Sequence, residues 1–276
     1  MQETESGVKY FVSQALGSIV LLLSISVGWP YGIILVGFIL KAGMAPFHFW
    51  FPAVISGSNW VVVLILLTWQ KVMPLLFIVV RMEYMGVVVA YFLGVMNAIV
   101  GGLGGFNQTI IRPLIAYSSI GHIGWIIVAG VYSDGLFLFY FAIYVFISIS
   151  IVLTIILIKF NTVGLNKGIK RGWVLGIFVA GFLSLGGVPP FLGFFPKWAL
   201  LVKINFFVVR GGLILGSLMN LYYYLNICFS CYVLRLNYFG PEKFNGGGYV
   251  LSIVFILRNF GLPIIIYLLY ALIILN

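Results

Sequence analysis

The chain of 276 residues is 63% hydrophobic and only 7% charged, with a mean hydropathy of +1.20, which excludes a water-soluble globular domain. Its formal charge of +10 comes from fifteen Lys and Arg scattered among apolar runs and short connections, with no basic face interleaved with stacking aromatics, so nucleic acid is excluded as a partner. Runs of roughly twenty apolar residues, the length that crosses a hydrocarbon core of about 30 Å, recur from residue 7 onward and predict an all-α, polytopic transmembrane bundle.

Gly, Pro, Asn and charge divide the sequence into about nine predicted spans. The first, 7–29, begins within MQETESGVKY (1–10), which lacks the basic region and cleavage site of a secretory signal, so it reads as a retained span. The second, 31–56, contains KAGMAPFHFWFP (41–52), where Gly43 and Pro46 interrupt a helix beside Lys41 and His48. The third, 59–80, carries Lys71. The fourth, 84–103, ends in GGLGGF, which departs from the GxGxxG fingerprint and follows no βαβ strand; it reads as a turn. The fifth, 108–131, holds His122 beside Tyr117, Ser118 and Ser119, and the sixth covers 135–158. The seventh, 172–205, is interrupted again, by Gly187, Pro189 and Pro190, ahead of Lys197. The eighth, 209–236, includes Cys228 and Cys231, read as one helical turn rather than a redox pair, and the ninth, 249–275, carries Arg258. Long aromatic-rich runs joined by short turns favour helices over the ten-residue alternation of a β-barrel.

Orientation follows from Lys and Arg in alternate connections. Lys9, Arg112, Lys159, Lys167, Lys170, Arg171, Arg235 and Lys243 fall on one side, against Arg81 and Arg210 on the other with Lys203 close by. The amino terminus is predicted inside and the carboxyl terminus outside. The sequon Asn107-Gln108-Thr109 then lies inside and is expected to be inert.

GMAPFHFWFP (43–52) and GVPPFLGFFP (187–196) share glycine first, Pro-Phe fourth and fifth, and Phe-Pro last. Paired interrupted spans point to a repeat-built ion translocator. Lys41 lies about 15 Å into its span and Lys71 about 18 Å into the third, both near mid-membrane, and Arg258 about 14 Å into the ninth. A charge at that depth costs at least about 2.5–3.5 kcal/mol, so such side chains face a partner or a wet cavity. A lysine amine can load and release a proton there; a guanidinium stays charged, so Arg258 reads as a structural or lipid-interface charge. Freed backbone groups at the two breaks imply internal water, and His48 and His122 are additional candidate relays. Glu3, Glu5, Glu83, Asp134 and Glu242 fall outside the spans or at their rims, and no His, Cys or carboxylate spacing fits a metal.

TESGVKYFVSQALGS (4–18), KAGMAPFHFWFPAV (41–54), ILLTWQKVMP (65–74), GGLGGFNQTIIRPLIAYSSIGHIGW (101–125) and LSLGGVPPFLGFFPKW (183–198) resemble the chain 2 family of mitochondrial NADH:ubiquinone oxidoreductase, antiporter-like membrane subunits of respiratory complex I. The resemblance runs from residue 4 to about 226. It implies a mitochondrial inner membrane protein built on inverted repeats, here a partial first repeat over about 1–80, a second over 84–236 and a lateral helix over 249–275. It implies proton translocation along a lysine axis mapping onto Lys41, Lys71 and Lys197. It implies no NADH, flavin, iron–sulfur cluster or quinone in this chain, with redox chemistry elsewhere in the complex. The expected partners are other membrane subunits of complex I, neighbouring antiporter-like chains among them, and phospholipids. The family carries a mid-membrane glutamate opposite the first axis lysine, on a helix ahead of the TESGVKYF-like segment. The sequence here begins downstream of that helix, which reads either as a lineage that has lost it or as a late start, with a neighbouring subunit as an alternative source of the carboxylate facing Lys41. Two other readings stay open at this point: a structural and assembly subunit without a pumping role, and an independent cation/proton antiporter.

Overall fold

The computed structural model describes residues 2–26, 31–81, 86–158 and 172–238. Every regular element among them is a helix: α1 Gln2–Ser26, α2 Tyr31–Ala42, α3 Trp50–Gly57, α4 Trp60–Leu67, α5 Trp69–Val80, α6 Val87–Gly105, α7 Ile111–Tyr132, α8 Asp134–Ile158, α9 Gly172–Gly186, α10 Phe194–Lys203 and α11 Phe207–Tyr238. Six helices are long and apolar enough to cross a membrane, counting α4 and α5 together as Trp60–Val80. The pairs α2/α3 and α9/α10 are the two interrupted spans. The predicted ninth span, its Arg258, and the connections carrying Lys159, Lys167, Lys170, Arg171 and Lys243 lie outside the described residues.

One interruption was not anticipated. The third span divides at Thr68, whose φ of −113° and ψ of −75° fall off the helical norm, and whose Oγ1 donates to the Leu64 carbonyl at 2.8 Å. Pro74, inside α5, has no N–H for the Gln70 carbonyl one turn back, and its ring crowds that carbonyl, so the ladder is weakened on both sides of Lys71. The physical signal was a single proline without a companion glycine.

Contacts between connections define two ends of the bundle. At one, Arg112 donates to the Ser56 carbonyl at 3.4 Å, and Gly57 packs on the Gln2 carbonyl. At the other, the Tyr91 and Tyr132 hydroxyls are 3.0 Å apart and the Tyr91 ring lies tilted against that of Phe206, with centroids 5.3 Å apart. Helix α7 is the axle: 83% of its most apolar stretch is buried, against 17% for α1 at the rim. Large apolar residues such as Phe11, Trp69, Met73, Val88 and Phe207 stand exposed around the outside, the arrangement acyl chains or neighbouring spans require.

Helices α6 and α7 approach closely because small residues line both faces. A Cβ on Gly101 would come within 2.6 Å of the Gly121 Cα, and one on Gly124 within 2.9 Å of the Ala98 nitrogen. With no water to drive association between spans, such close packing holds them together. Gly101→Val is therefore expected to lower assembled protein severalfold, read by native electrophoresis of solubilised membranes, whereas Gly7→Ala, with nothing within 4 Å, leaves it unchanged.

Candidate functional site

Both interrupted spans end in the same backbone motif. Helix α2 closes at Gly43, with φ +66°: its N–H donates to the Leu40 carbonyl and that of Met44 to the Ile39 carbonyl. Helix α9 closes at Gly187, with φ +74°: its N–H donates to the Ser184 carbonyl and that of Val188 to the Leu183 carbonyl. These are Schellman endings, which need a left-handed residue that only glycine adopts without strain. Pro46 and the Pro189–Pro190 pair follow, each break holding a cis bond, Ala45–Pro46 and Pro189–Pro190. The shared pattern in GMAPF and GVPPF is thus one local geometry used twice.

Different side chains then satisfy the exposed carbonyls. At the first break, Trp50 Nε1 donates to the Leu40 carbonyl at 3.0 Å, and Gln14 Nε2 reaches the Lys41 carbonyl at 3.4 Å. Asn97 of α6 accepts from the Ala45 N–H at 2.8 Å and donates to the Leu93 carbonyl at 2.8 Å. At the second break, the Lys197 amine donates to the Leu185 carbonyl at 3.2 Å and the Gly186 carbonyl at 2.8 Å. A cation at a helix carboxyl end is doubly favoured, by the hydrogen bonds and by the helix dipole. Lys197 is buried, with the Trp125 ring 5.8 Å from Nζ.

Lys71 lies in the first turn of α5 and is 1% exposed. Its Nζ has no hydrogen-bond partner among the described residues and sits 4.7 Å from the Phe51 ring centroid and 5.6 Å from that of Tyr144. Such ring contacts return about 2 kcal/mol when desolvated, less than the several kcal/mol a dry ammonium costs. The charged form therefore depends on an acceptor or water reaching it.

His122, on α7, stands between the two lysines. Its ring centroid is 5.4 Å from that of Tyr144, the ring that also faces Lys71, and its Nδ1 is 3.3 Å from the Tyr140 hydroxyl. The ring approaches the Leu185 carbonyl, which Lys197 also holds, while Nε2 makes no well-formed hydrogen bond among the described residues. Lys71, His122 and Lys197 thus meet around Tyr144 and Leu185.

Lys41 is set apart. Its side chain lies across α1, where a Cβ on Gly17 would be 2.8 Å from Lys41 Cγ, and it is half-buried. His48 follows the first break, with Nδ1 3.3 Å from the Pro46 carbonyl and its ring beside Phe49 and Tyr117. Tyr140, Tyr144 and the Leu185 carbonyl were missed from sequence. The i, i+4 spacing of the two tyrosines on one helix face was the available signal; a backbone carbonyl leaves none.

The family profile described as "NADH:quinone oxidoreductase/Mrp antiporter, TM" matches residues 26–219. The chain is 39% identical over 256 residues to NADH-ubiquinone oxidoreductase chain 2 of Aedes aegypti, covering 86% of this chain and 74% of that one. It is 39% identical over 243 residues to the chain of the same name from Lumbricus terrestris, covering 83% and 72% respectively. Among solved structures, its fold is similar to a chain of respiratory complex I from Thermus thermophilus, with a TM-score of 0.74 at 23% identity over 95% of this chain and 67% of that one. It is also similar to a chain of the Mrp complex from a Dietzia species, with a TM-score of 0.69 at 16% identity over 87% and 52%.

Proposed function

The chain belongs to the NADH-ubiquinone oxidoreductase chain 2 family, within the NADH:quinone oxidoreductase/Mrp antiporter group, and from that premise we propose that it moves protons as an antiporter-like membrane subunit of mitochondrial complex I. The observation that carries this reading is the buried set of Lys71, His122 and Lys197, in which His122 faces Tyr144, the ring that also lies beside Lys71, and approaches the Leu185 carbonyl that holds Lys197 at the second break. Lys71 and Lys197 are the amines that load and release the proton; His122 carries it between them. Redox chemistry belongs to other subunits of the complex. Lys41 is a third site, and His48 an accessory relay. The Lys/Arg count supports an amino terminus facing the matrix.

Water and hydrogen-bonded groups let an amine change protonation without crossing apolar packing, whereas a dry bundle would trap it. The Lys197 amine already holds two carbonyls, so gaining or losing a proton changes how strongly α9 is capped. Lys197→Met in the intact complex, reconstituted in vesicles, is expected to lower the number of protons moved per NADH oxidised while assembly and uncoupled NADH oxidation persist. An unchanged ratio in the assembled variant would instead favour a structural role for the chain.

A further inference from the structure

A second polar cluster lies between this site and the Arg112 end of the bundle. Tyr223 and Tyr224 of α11, Ser118 and Ser119 of α7 and Tyr144 of α8 are all buried. The Tyr224 hydroxyl donates to Ser118 Oγ, and the Tyr223 hydroxyl also comes within hydrogen-bonding reach of Ser118. Tyr144 lies within reach of Ser119 and donates to the Leu67 carbonyl at 3.3 Å. Tyr223 is anchored by Asn220, whose Oδ1 accepts from it at 2.9 Å, and its ring rests on Gly105, the last residue of α6.

The order along the bundle is directional. Gly105 and Ile111 border the same turn, Ser118 and Ser119 lie about 10–12 Å into α7 from there, and His122 about 16 Å. The hydroxyls therefore step from the Arg112 end toward His122, and the last, Tyr144, shares a ring contact with both His122 and Lys71. Resting on the proton-transfer reading above, we propose that Tyr223, Tyr224, Ser118, Ser119 and Tyr144 form the proton lead joining the Arg112 end to His122 and Lys71. Each hydroxyl takes a proton on its oxygen from one neighbour and releases its own to the next, directly from Tyr224 to Ser118 and through bound water from Ser118 to Ser119, whose Oγ otherwise donates to the Ala116 carbonyl, and from Tyr144 to His122 and Lys71; none keeps a net charge, and rotation of the O–H groups resets the chain. A tyrosine or serine suits this role because one oxygen both donates and accepts.

The test is the intact complex carrying Ser118→Ala with Tyr224→Phe, changes that remove two oxygens and leave the packing shapes in place. Coupled turnover in vesicles is expected to fall at least about tenfold, as when a proton-transfer group is lost. Added imidazole, a small permeant proton carrier, is expected to restore a large part of it. A parental rate overturns the proposal, and so does a reduced rate that imidazole leaves unmoved, since that marks a packing defect. Lys71→Met measured in parallel separates the two readings: if it slows coupled turnover while the hydroxyl variant does not, the site stands and the lead falls.

Discussion

Lys71→Met is expected to abolish most coupled proton transfer while leaving the chain at least as stable as the parent. The side chain is 1% exposed, with Nζ over the Phe51 and Tyr144 rings and no hydrogen-bond partner among the described residues. Methionine matches its length and volume without an amine to solvate, and replacing buried charge by well-packed apolar atoms is often neutral or stabilising by about 1–4 kcal/mol. A purely structural lysine would then be improved by the change. If Lys71 carries protons, turnover coupled to pumping drops about tenfold or more, with NADH oxidation in uncoupler less affected. Thermal inactivation of the purified complex and proton uptake by the same vesicles give the two readouts. A variant that is stable and pumps at the parental rate removes Lys71 from the mechanism. Lys71→Arg gives a sharper contrast, because the guanidinium keeps the charge but cannot release its proton.

Where the physics is local, the residues announced the structure. Glycine at a left-handed helix end and proline without an N–H act within one turn, so both breaks could be read from GMAPF and GVPPF before any packing was known. Hydropathy likewise placed Lys71 deep, because burial there follows from the length of its own span. The convergence of Lys71, His122 and Lys197 could not be read in this way. It depends on helices α5, α7, α8, α9 and α10 meeting, and on the Leu185 carbonyl, an atom every residue possesses. Lys41 shows what depth leaves open: by depth it equals Lys71, and only the packed pair of helices puts its side chain over Gly17 of α1, apart from Phe51 and Tyr144. Thr68 hid the division of the third span for a related reason, since its side chain satisfies the Leu64 carbonyl rather than marking a turn.

Gly187→Ala and Gly43→Ala are expected to fail differently, although the two glycines occupy equivalent endings. Both need positive φ, where an L side chain costs about 1–2 kcal/mol. At Gly187 the added methyl would meet Lys197, with Cδ at 2.8 Å and Nζ at 3.1 Å. Those atoms are the far end of a flexible chain, so the lysine swings aside and the fold survives, but the amine leaves the Leu185 and Gly186 carbonyls. Hydrogen bonds to a charged group are worth about 1.5–3 kcal/mol each, so the proton site is altered well beyond the strain itself. At Gly43 the methyl would meet Phe51, with Cβ at 2.8 Å and Cγ at 3.0 Å. Those atoms sit against the backbone of a buried residue, so α3 itself must shift and the core beside Lys71 opens. Gly187→Ala should therefore assemble near normal levels and lose most coupled pumping, whereas Gly43→Ala should lose assembly first, through a cost of about 3 kcal/mol or more for strain and overpacking together. Native electrophoresis and vesicle proton uptake, run on both variants, separate these outcomes. Equal assembly with equal pumping would mean that the lysine-capped ending of α9 has no special part in moving protons.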